Sequence, residues 1–170
     1  MNDAILYATL SALVTAVLAA AVWRQYRWRR RPYQLVWGIS LSLGTLASLA
    51  YAAATATGAA FWFRLYYLCG ALWVAPLMGL GSLYLARSRW APAFAVGLLG
   101  LGTVASVSIL TAPLDVTALA SLTGSGRGIL SLPSYGLAIL IVLNVLGTLV
   151  VAGTAVASAL GFVRGRGAPP

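Results

Sequence analysis

The chain has 170 residues, of which 61% are hydrophobic and only 8% are charged, whereas about 25% of residues are charged in an average globular protein. All eleven basic residues are arginine, the only acidic residues are Asp3 and Asp115, and histidine is absent. So few charged groups could not cover a protein surface in water. The composition therefore excludes an ordinary soluble domain and predicts an integral membrane protein.

The missing residue types also exclude most kinds of membrane chemistry. Without histidine no imidazole can ligate haem iron or zinc, and without lysine no retinal Schiff base can form. Cys69 is the only cysteine, so neither a CxxC redox pair nor an intrachain disulfide is possible. A serine nucleophile would have no histidine or lysine as its base. We therefore expect a protein that is not an enzyme and that holds no metal and no cofactor.

Five apolar runs are each long enough for a membrane-spanning helix, which needs about 20 residues. These runs are Ala4–Trp23, Tyr33–Thr57, Ala60–Ala86, Trp90–Thr111 and Ser134–Val163. The predicted fold is an all-α bundle of five transmembrane helices, a single domain over 1–163 followed by a short cytoplasmic tail, 164–170. Before the fifth run, Asp115 is expected to cap a short turn over Val116–Leu122.

The arginines predict how the chain is oriented. Nine of them fall on one side of a five-helix arrangement, namely Arg24, Arg27, Arg29, Arg30, Arg31, Arg87, Arg89, Arg164 and Arg166. Because positive residues are enriched in cytoplasmic loops, the N-terminus is expected outside and the C-terminus inside. The net charge of +9 is thus interpreted as an orientation signal, and no nucleic-acid partner is expected. Arginine without lysine, with abundant alanine and glycine, is typical of GC-rich bacteria, so the expected location is the bacterial cytoplasmic membrane.

The first connection is expected to meet the headgroups of the bilayer. Its arginines are Arg24, Arg27, Arg29, Arg30 and Arg31. They should attract anionic lipid, by about 1 kcal/mol for each arginine near the surface. Trp23, Tyr26 and Trp28 flank the same segment, and these residue types prefer the membrane interface. Membrane lipids, including anionic headgroups at the cytoplasmic face, are therefore predicted partners.

Small and polar residues mark two predicted helix-packing faces. In the second helix Ser40, Gly44 and Ser48 recur every four residues, which places them on one face and permits close approach of another helix. The fifth helix has the same spacing of small residues at Gly153, Ala157 and Gly161, and its Asn144 and Thr148 form a polar pair one turn apart. These faces are expected to contact another helix, within the chain or from a second copy.

Aromatic residues and one arginine cluster around the start of the third helix. The candidate ligand-binding residues are Tyr51, Trp62, Arg64, Tyr66, Tyr67 and Trp73. Two interpretations stay open: a pocket in which Arg64 meets an anionic group, or an interfacial aromatic belt with an arginine that extends to the headgroups. In both, Asp115 or a lipid phosphate is the expected partner of Arg64. Pro76 predicts a kink farther along this helix, because proline lacks a backbone donor.

The order of these features resembles two kinds of membrane protein. A helix ending in a basic segment, a second helix, and then Trp62-Phe63-Arg64-Leu65-Tyr66-Tyr67 are similar to the multi-helix membrane sensor region of some bacterial histidine kinases. This similarity covers residues 1–90. The chain also resembles small polytopic membrane proteins of GC-rich bacteria. Neither resemblance assigns a role to an individual residue.

The predicted function is binding without catalysis. Aromatic density, small-residue packing faces and the lack of catalytic groups favour a protein that binds an apolar or lipid-like ligand, or one that is a subunit with a membrane partner or in a homo-oligomer. The alternative is a small-solute channel or facilitator formed by oligomerisation, because faces of serine, threonine and asparagine could line a narrow path.

Overall fold

The fold is built from long helices. The structure, a computed structural model, describes residues 3–119 and 128–163. Its helices are α1 (Asp3–Arg29), α2 (Pro32–Thr57), α3 (Ala60–Tyr66), α4 (Ala75–Leu85), α5 (Ala91–Thr111), α6 (Val116–Leu119) and α7 (Ser134–Val163). A π-helix, Tyr67–Val74, joins α3 to α4, and we call the continuous helix Ala60–Leu85 the third span.

The all-helical fold class is confirmed, and so is the number of helices of membrane-spanning length. In the described ranges, five helices are long and apolar enough to cross a membrane: α1, α2, the third span, α5 and α7. The predicted tail, 164–170, lies outside the described residues, as does the end of the predicted turn, 120–122.

The first helix is longer than its apolar run predicted. α1 ends at Arg29 rather than Trp23, and Arg30 and Arg31 alone connect it to α2. Cations are favourable near a helix C-terminus, so arginines there need not end the helix. At about 1.5 Å per residue, the 27 residues of α1 extend about 40 Å, whereas the hydrocarbon core of a bilayer is about 30 Å thick. We call this end of the bundle the arginine-rich end, and the end containing Asp3 the opposite end.

Helices α1 and α2 form an antiparallel hairpin held by polar side chains. The hydrogen-bonded pairs are Ser11 with Ser48 at 3.2 Å, Thr15 with Thr45 at 3.1 Å, and Trp23 with Ser42 at 3.0 Å. Away from water, a hydroxyl or indole N–H is stabilised by pairing with a neighbouring helix. The small and polar residues of α2 therefore make direct contacts with α1.

Three tryptophan rings lie directly against glycines of a neighbouring helix. The pairs are Trp23 with Gly38, Trp37 with Gly81, and Trp73 with Gly102. A Cβ atom at Gly38 would lie only 2.9 Å from Trp23 Cε2, and a Cβ at either of the other glycines would lie closer still to its ring. Trp23, predicted to be an interfacial anchor, is therefore a packing residue. Trp28 is 84% exposed, as an anchor would be.

Helix α7 supplies a hydrogen bond that the backbone of the third span lacks. In a π-helix each N–H bonds to the carbonyl five residues earlier, so the donor for Ala71 O would belong to Pro76, which has no N–H. Asn144 Nδ2 donates to Ala71 O at 2.6 Å and to Leu140 O at 2.8 Å. Where a kink was predicted at Pro76, the structure has a π-helix that ends two residues before the proline, and α7 supplies a side-chain donor to it.

Asn144 is expected to stabilise the third span because residue 76 is proline. Asn144→Leu leaves Ala71 O without that donor and should lower the free energy of unfolding by about 1–2 kcal/mol. Pro76→Ala restores a backbone N–H, so Asn144→Leu should cost less in that background. A double-mutant cycle of unfolding in detergent, followed by circular dichroism, measures this difference. Equal costs in both backgrounds would show that the amide does not replace the missing donor.

Helices α4 and α7 touch backbone to backbone close to Pro76. A Cβ atom at Gly147 would lie 2.6 Å from Ala75 C and 2.7 Å from Pro76 N. One at Gly79 would lie 2.8 Å from Gly147 Cα. Glycine permits this approach because it has no side chain, and such contacts are typical of helix packing in membranes.

The connection between α5 and α7 is anchored at two points. An isolated β-bridge pairs Leu114 with Leu130. Asp115 caps α6, as predicted: its carboxylate accepts from the Thr117 hydroxyl at 2.6 Å, the Thr117 N–H at 2.9 Å and the Ala118 N–H at 3.1 Å. These bonds, the Thr117 hydroxyl first among them, hold the pKa of Asp115 below its ordinary value of 3.8.

The pKa of Asp115 gives a test of this cap. A carbon-13 NMR titration of the carboxyl should have its midpoint below 3.8, because hydrogen bonds to a carboxylate favour its ionised form. Thr117→Val removes the hydroxyl but keeps the backbone N–H, and should move the midpoint upward. The cap contributes stability above the unfolded pKa and loses it as the pH falls through the lowered folded pKa. An unchanged midpoint in the variant would exclude the hydroxyl as the main cause.

Candidate ligand-binding site

Four aromatic rings from α2 and the third span form a cluster near the opposite end of the bundle. Tyr66 lies at its centre, with ring centroids at 5.0 Å from Tyr51, 5.5 Å from Tyr67 and 6.0 Å from Phe63. The two contacts between tyrosines are edge-to-face, the arrangement that aromatic quadrupoles favour. Phe63 is buried, whereas the three tyrosines are half-buried. The tyrosine rings therefore pack against one another and are still partly accessible from outside the bundle.

One side of this cluster borders a groove between α1 and α2, which we call the tyrosine groove. Its volume is about 490 Å³, within the range of about 300–1,000 Å³ found for ligand pockets. The lining residues are Asp3, Tyr7, Ser11, Ser48, Tyr51 and Tyr66, with two alanines of α1 between them. Asp3 is the one charged side chain among the described residues of the lining. The groove is open to the surroundings of the bundle, so a ligand can reach it without separation of the helices.

Arg64 binds backbone carbonyls at the C-terminus of α5. Its Nη1 donates to Ile109 O at 2.7 Å and to Leu110 O at 2.9 Å, and its Nη2 donates to Ala112 O at 2.8 Å. The last carbonyls of a helix have no partner within it and carry partial negative charge. The guanidinium therefore caps α5. The expected pairing with Asp115 is wrong, because that carboxylate caps α6 instead.

The six candidate ligand-binding residues do not surround one pocket. Tyr51 and Tyr66 line the tyrosine groove, Tyr67 lines a second cavity, Trp73 lies against Gly102, Trp62 pairs edge-to-face with Phe61, and Arg64 caps α5. A helix has about 3.6 residues per turn, so consecutive residues of the 61–67 run point in different directions. Tyr66 is shared: it lines the tyrosine groove with Tyr51 and the second cavity with Tyr67.

The predicted packing face of α2 divides between two neighbours. Ser40 is fully buried, and its hydroxyl donates to Val74 O in the third span at 2.8 Å. Ser48 faces α1. A Cβ atom at Gly44 would lie 3.7 Å from Val74 Cγ2 and 3.9 Å from Thr15 Cγ2, which are ordinary contacts. Helix α2 is thus held between α1 and the third span.

The predicted packing face of α7 is occupied at Asn144 but not beyond it. Thr148 is exposed, and a Cβ atom at Gly153 would have no neighbour within 4 Å among the described residues. Packing of Gly153 against a second copy stays a prediction. The close contact is made by Gly147, which is about 1.7 turns away and so lies on a different face of α7.

The arginines predicted to contact anionic lipid are exposed at the arginine-rich end. They are Arg24, Arg27, Arg29, Arg30 and Arg31. Arg24 and Arg27 lie one turn apart on α1 and, with Trp28, border a surface recess of about 560 Å³. Guanidinium groups bind phosphate oxygens well, and tryptophan prefers the interface, so the recess suits a lipid headgroup. Binding of anionic lipid there stays a prediction.

Sequence reasoning missed two residues of the tyrosine groove and one residue of the contact between α4 and α7. Tyr7 and Ser11 line the tyrosine groove and lie on one face of α1, at a four-residue spacing that could have indicated it. Gly147 had no such signal, because neither Leu143 nor Val151, four residues away on either side, is small. Its close contact depends on where α4 crosses α7.

No family model, curated protein or solved structure matches the chain. The resemblances to histidine kinase sensor regions and to small bacterial membrane proteins therefore stay predictions. A function must therefore be inferred from the residues that line the tyrosine groove.

Proposed function

We propose that the protein is a multi-pass membrane protein that binds an apolar, lipid-like ligand in the tyrosine groove. The observation that carries this proposal is the joint wall made by Tyr51 and Tyr66, whose edge-to-face rings border an open groove of about 490 Å³. A concave space of this size that is lined mainly by apolar and aromatic side chains is typical of ligand sites. In a bilayer, the available occupant is hydrocarbon.

The charges near the groove favour recognition of a hydrocarbon chain rather than of an anionic group. Arg64, the candidate for binding an anion, donates to three backbone carbonyls of α5. Asp3, which lines the groove, would repel a second negative charge. Apart from Asp3, the aromatic walls and the paired hydroxyls of Ser11 and Ser48 offer an uncharged surface for the chain of a lipid.

The side of the groove formed by α1 is accessible from the lipid. Tyr7 is 70% exposed, and Ser11 is exposed one turn farther along the helix. Both residues line the groove. A lipid chain can therefore enter sideways, and its headgroup can stay at the level of the bilayer surface.

Photolabelling with a phosphatidylcholine that carries a diazirine in one acyl chain tests this proposal. We expect adducts to be concentrated on Tyr7, Tyr51 and Tyr66 in the protein reconstituted in vesicles. Ser11→Leu places a larger side chain in the groove and should reduce these adducts several-fold. Thr9→Leu is the matched control, because Thr9 is an exposed hydroxyl residue of α1 that does not line the groove.

Two results would contradict binding in the groove. One is labelling spread evenly over exposed apolar positions such as Val96 and Leu99 of α5, which would indicate only the lipid that surrounds any membrane protein. The other is an equal yield of groove adducts in Ser11→Leu and Thr9→Leu.

We also propose that the arginine-rich end is cytoplasmic, in the cytoplasmic membrane of a bacterium. The support is that Arg87, Arg89 and the arginines of α1 lie at the same end, as the positive-inside rule requires. In a Cys69→Ala background, Ser131→Cys should react with an impermeant thiol reagent on intact cells, whereas Gln25→Cys should react only after lysis. Both positions are exposed. The reverse pattern would overturn the orientation.

A further inference from the structure

A second cavity lies on the other side of Tyr66, between the third span, α7 and the segment 128–132. Its volume is about 570 Å³. Two tyrosines of the third span, Tyr66 and Tyr67, form one wall of the cavity. Three apolar residues of α7 form another: Leu137, Leu140 and Ile141. Ala71 of the π-helix also lines it. Because walls come from three parts of the chain, this cavity is more enclosed than the tyrosine groove.

The chemistry of the lining favours an uncharged ligand. No charged residue is present among the described residues that border the cavity, and a charge without a partner is costly at membrane depth. The hydroxyl of Tyr66 has no hydrogen-bond partner in the described part of the chain. A tyrosine hydroxyl can both donate and accept. The leucine and isoleucine side chains of α7 offer apolar contact to the rest of a ligand.

Two hydrogen-bonded contacts fix the walls of this cavity before any ligand binds. Asn144 holds the backbone of Ala71 at 2.6 Å. The bridge between Leu114 and Leu130 fixes the segment 128–132, and Ser131 N donates to Pro113 O at 3.0 Å. A preformed wall lowers the conformational cost of binding.

We propose that the second cavity binds a small uncharged amphipathic molecule, a hydrocarbon that carries one hydroxyl or carbonyl group, with its oxygen hydrogen-bonded to Tyr66. The apolar body of the ligand lies against Leu137, Leu140 and Ile141. This site is separate from the tyrosine groove, although Tyr66 lines both. Its occupant is smaller and more polar than a phospholipid chain.

A diazirine derivative of dodecan-1-ol is the probe for this site. In the purified full chain we expect adducts on Leu137–Ile141 and on Tyr66–Ala71. Unlabelled dodecan-1-ol should compete, whereas dodecanoate and dodecylammonium should not. Tyr66→Phe keeps the ring but removes the hydroxyl, and should weaken binding by about 3–10-fold, the effect of one hydrogen bond. Tyr135→Phe, on an exposed tyrosine of α7 outside the cavity, should leave binding unchanged.

The Ser11→Leu variant separates this proposal from binding in the tyrosine groove, because Ser11 does not line the second cavity. Labelling by the alcohol should persist in that variant even if labelling by phosphatidylcholine falls. Absence of adducts in the cavity would overturn the proposal. So would equal competition by the charged amphiphiles, equal affinity in Tyr66→Phe, or loss of labelling in Ser11→Leu.

Discussion

Arg64→Met is expected to lower the free energy of unfolding by about 2–3 kcal/mol, the cost of leaving buried polar groups without partners. The guanidinium donates to Ile109 O, Leu110 O and Ala112 O, and methionine of similar length donates to none. Ile109 and Ala112 are buried, so water has little access to replace the bonds to their carbonyls. Thermal or denaturant unfolding in detergent, followed by circular dichroism, measures the loss.

Two further variants show whether the donor geometry or only the charge matters. Arg64→Lys keeps the charge, but an ammonium lacks the planar fork of the guanidinium, so an intermediate stability is expected. Arg27→Met removes an exposed arginine of α1 and should change stability little. If Arg64→Met unfolds like the parent, Arg64 is not a structural cap. The interpretation of Arg64 as an interfacial residue that extends to the headgroups would then be favoured.

Gly147→Ala is expected to destabilise the protein by about 3 kcal/mol, at the upper end of the range for overpacked cores. The added Cβ would lie 2.6 Å from Ala75 C and 2.7 Å from Pro76 N, both backbone atoms that cannot rotate away. The crossing of α4 and α7 must then open. The same unfolding assay in detergent measures the effect.

Gly153→Ala is the matched control on the same helix. A Cβ atom there would have no neighbour within 4 Å in the described part of the chain, and alanine is favoured over glycine within a helix by about 1 kcal/mol. This variant should therefore be neutral or slightly stabilising. Equal destabilisation by the two substitutions would show that α7 does not approach α4 as closely as the structure indicates.

The spans were predictable because hydrophobic length is a property of the sequence alone. Runs such as Trp90–Thr111 must be long enough to cross the hydrocarbon core of a bilayer. Helix α5 begins and ends within one residue of that prediction. The end of α1 was less predictable. Composition indicated where the apolar run stops at Trp23, but arginines can continue a helix into the headgroup region, and α1 continues to Arg29.

The partners of polar residues were not predictable, because those partners are mostly backbone carbonyls. Every residue has such a carbonyl, so nothing in the sequence marked Ala71 as the acceptor for Asn144 or α5 as the acceptor for Arg64. The polar residues themselves, Asn144 and Arg64, were recognisable because they interrupt apolar runs. Of the candidate ligand-binding residues, the fold brings Tyr51 and Tyr66 to the tyrosine groove, because the positions of α1 and α2 decide which rings meet there.

The hairpin of α1 and α2 has a consequence for how the protein is inserted during synthesis. Arg30 and Arg31 alone join the two helices, and the hydroxyl pair of Thr15 and Thr45 lies within the hairpin. This pair needs no later part of the chain. The first two helices can therefore pair before the third span is made, with the Thr15–Thr45 contact already formed, while Ser40 and Trp37 still await their acceptors, Val74 O and Met78 O, in that span.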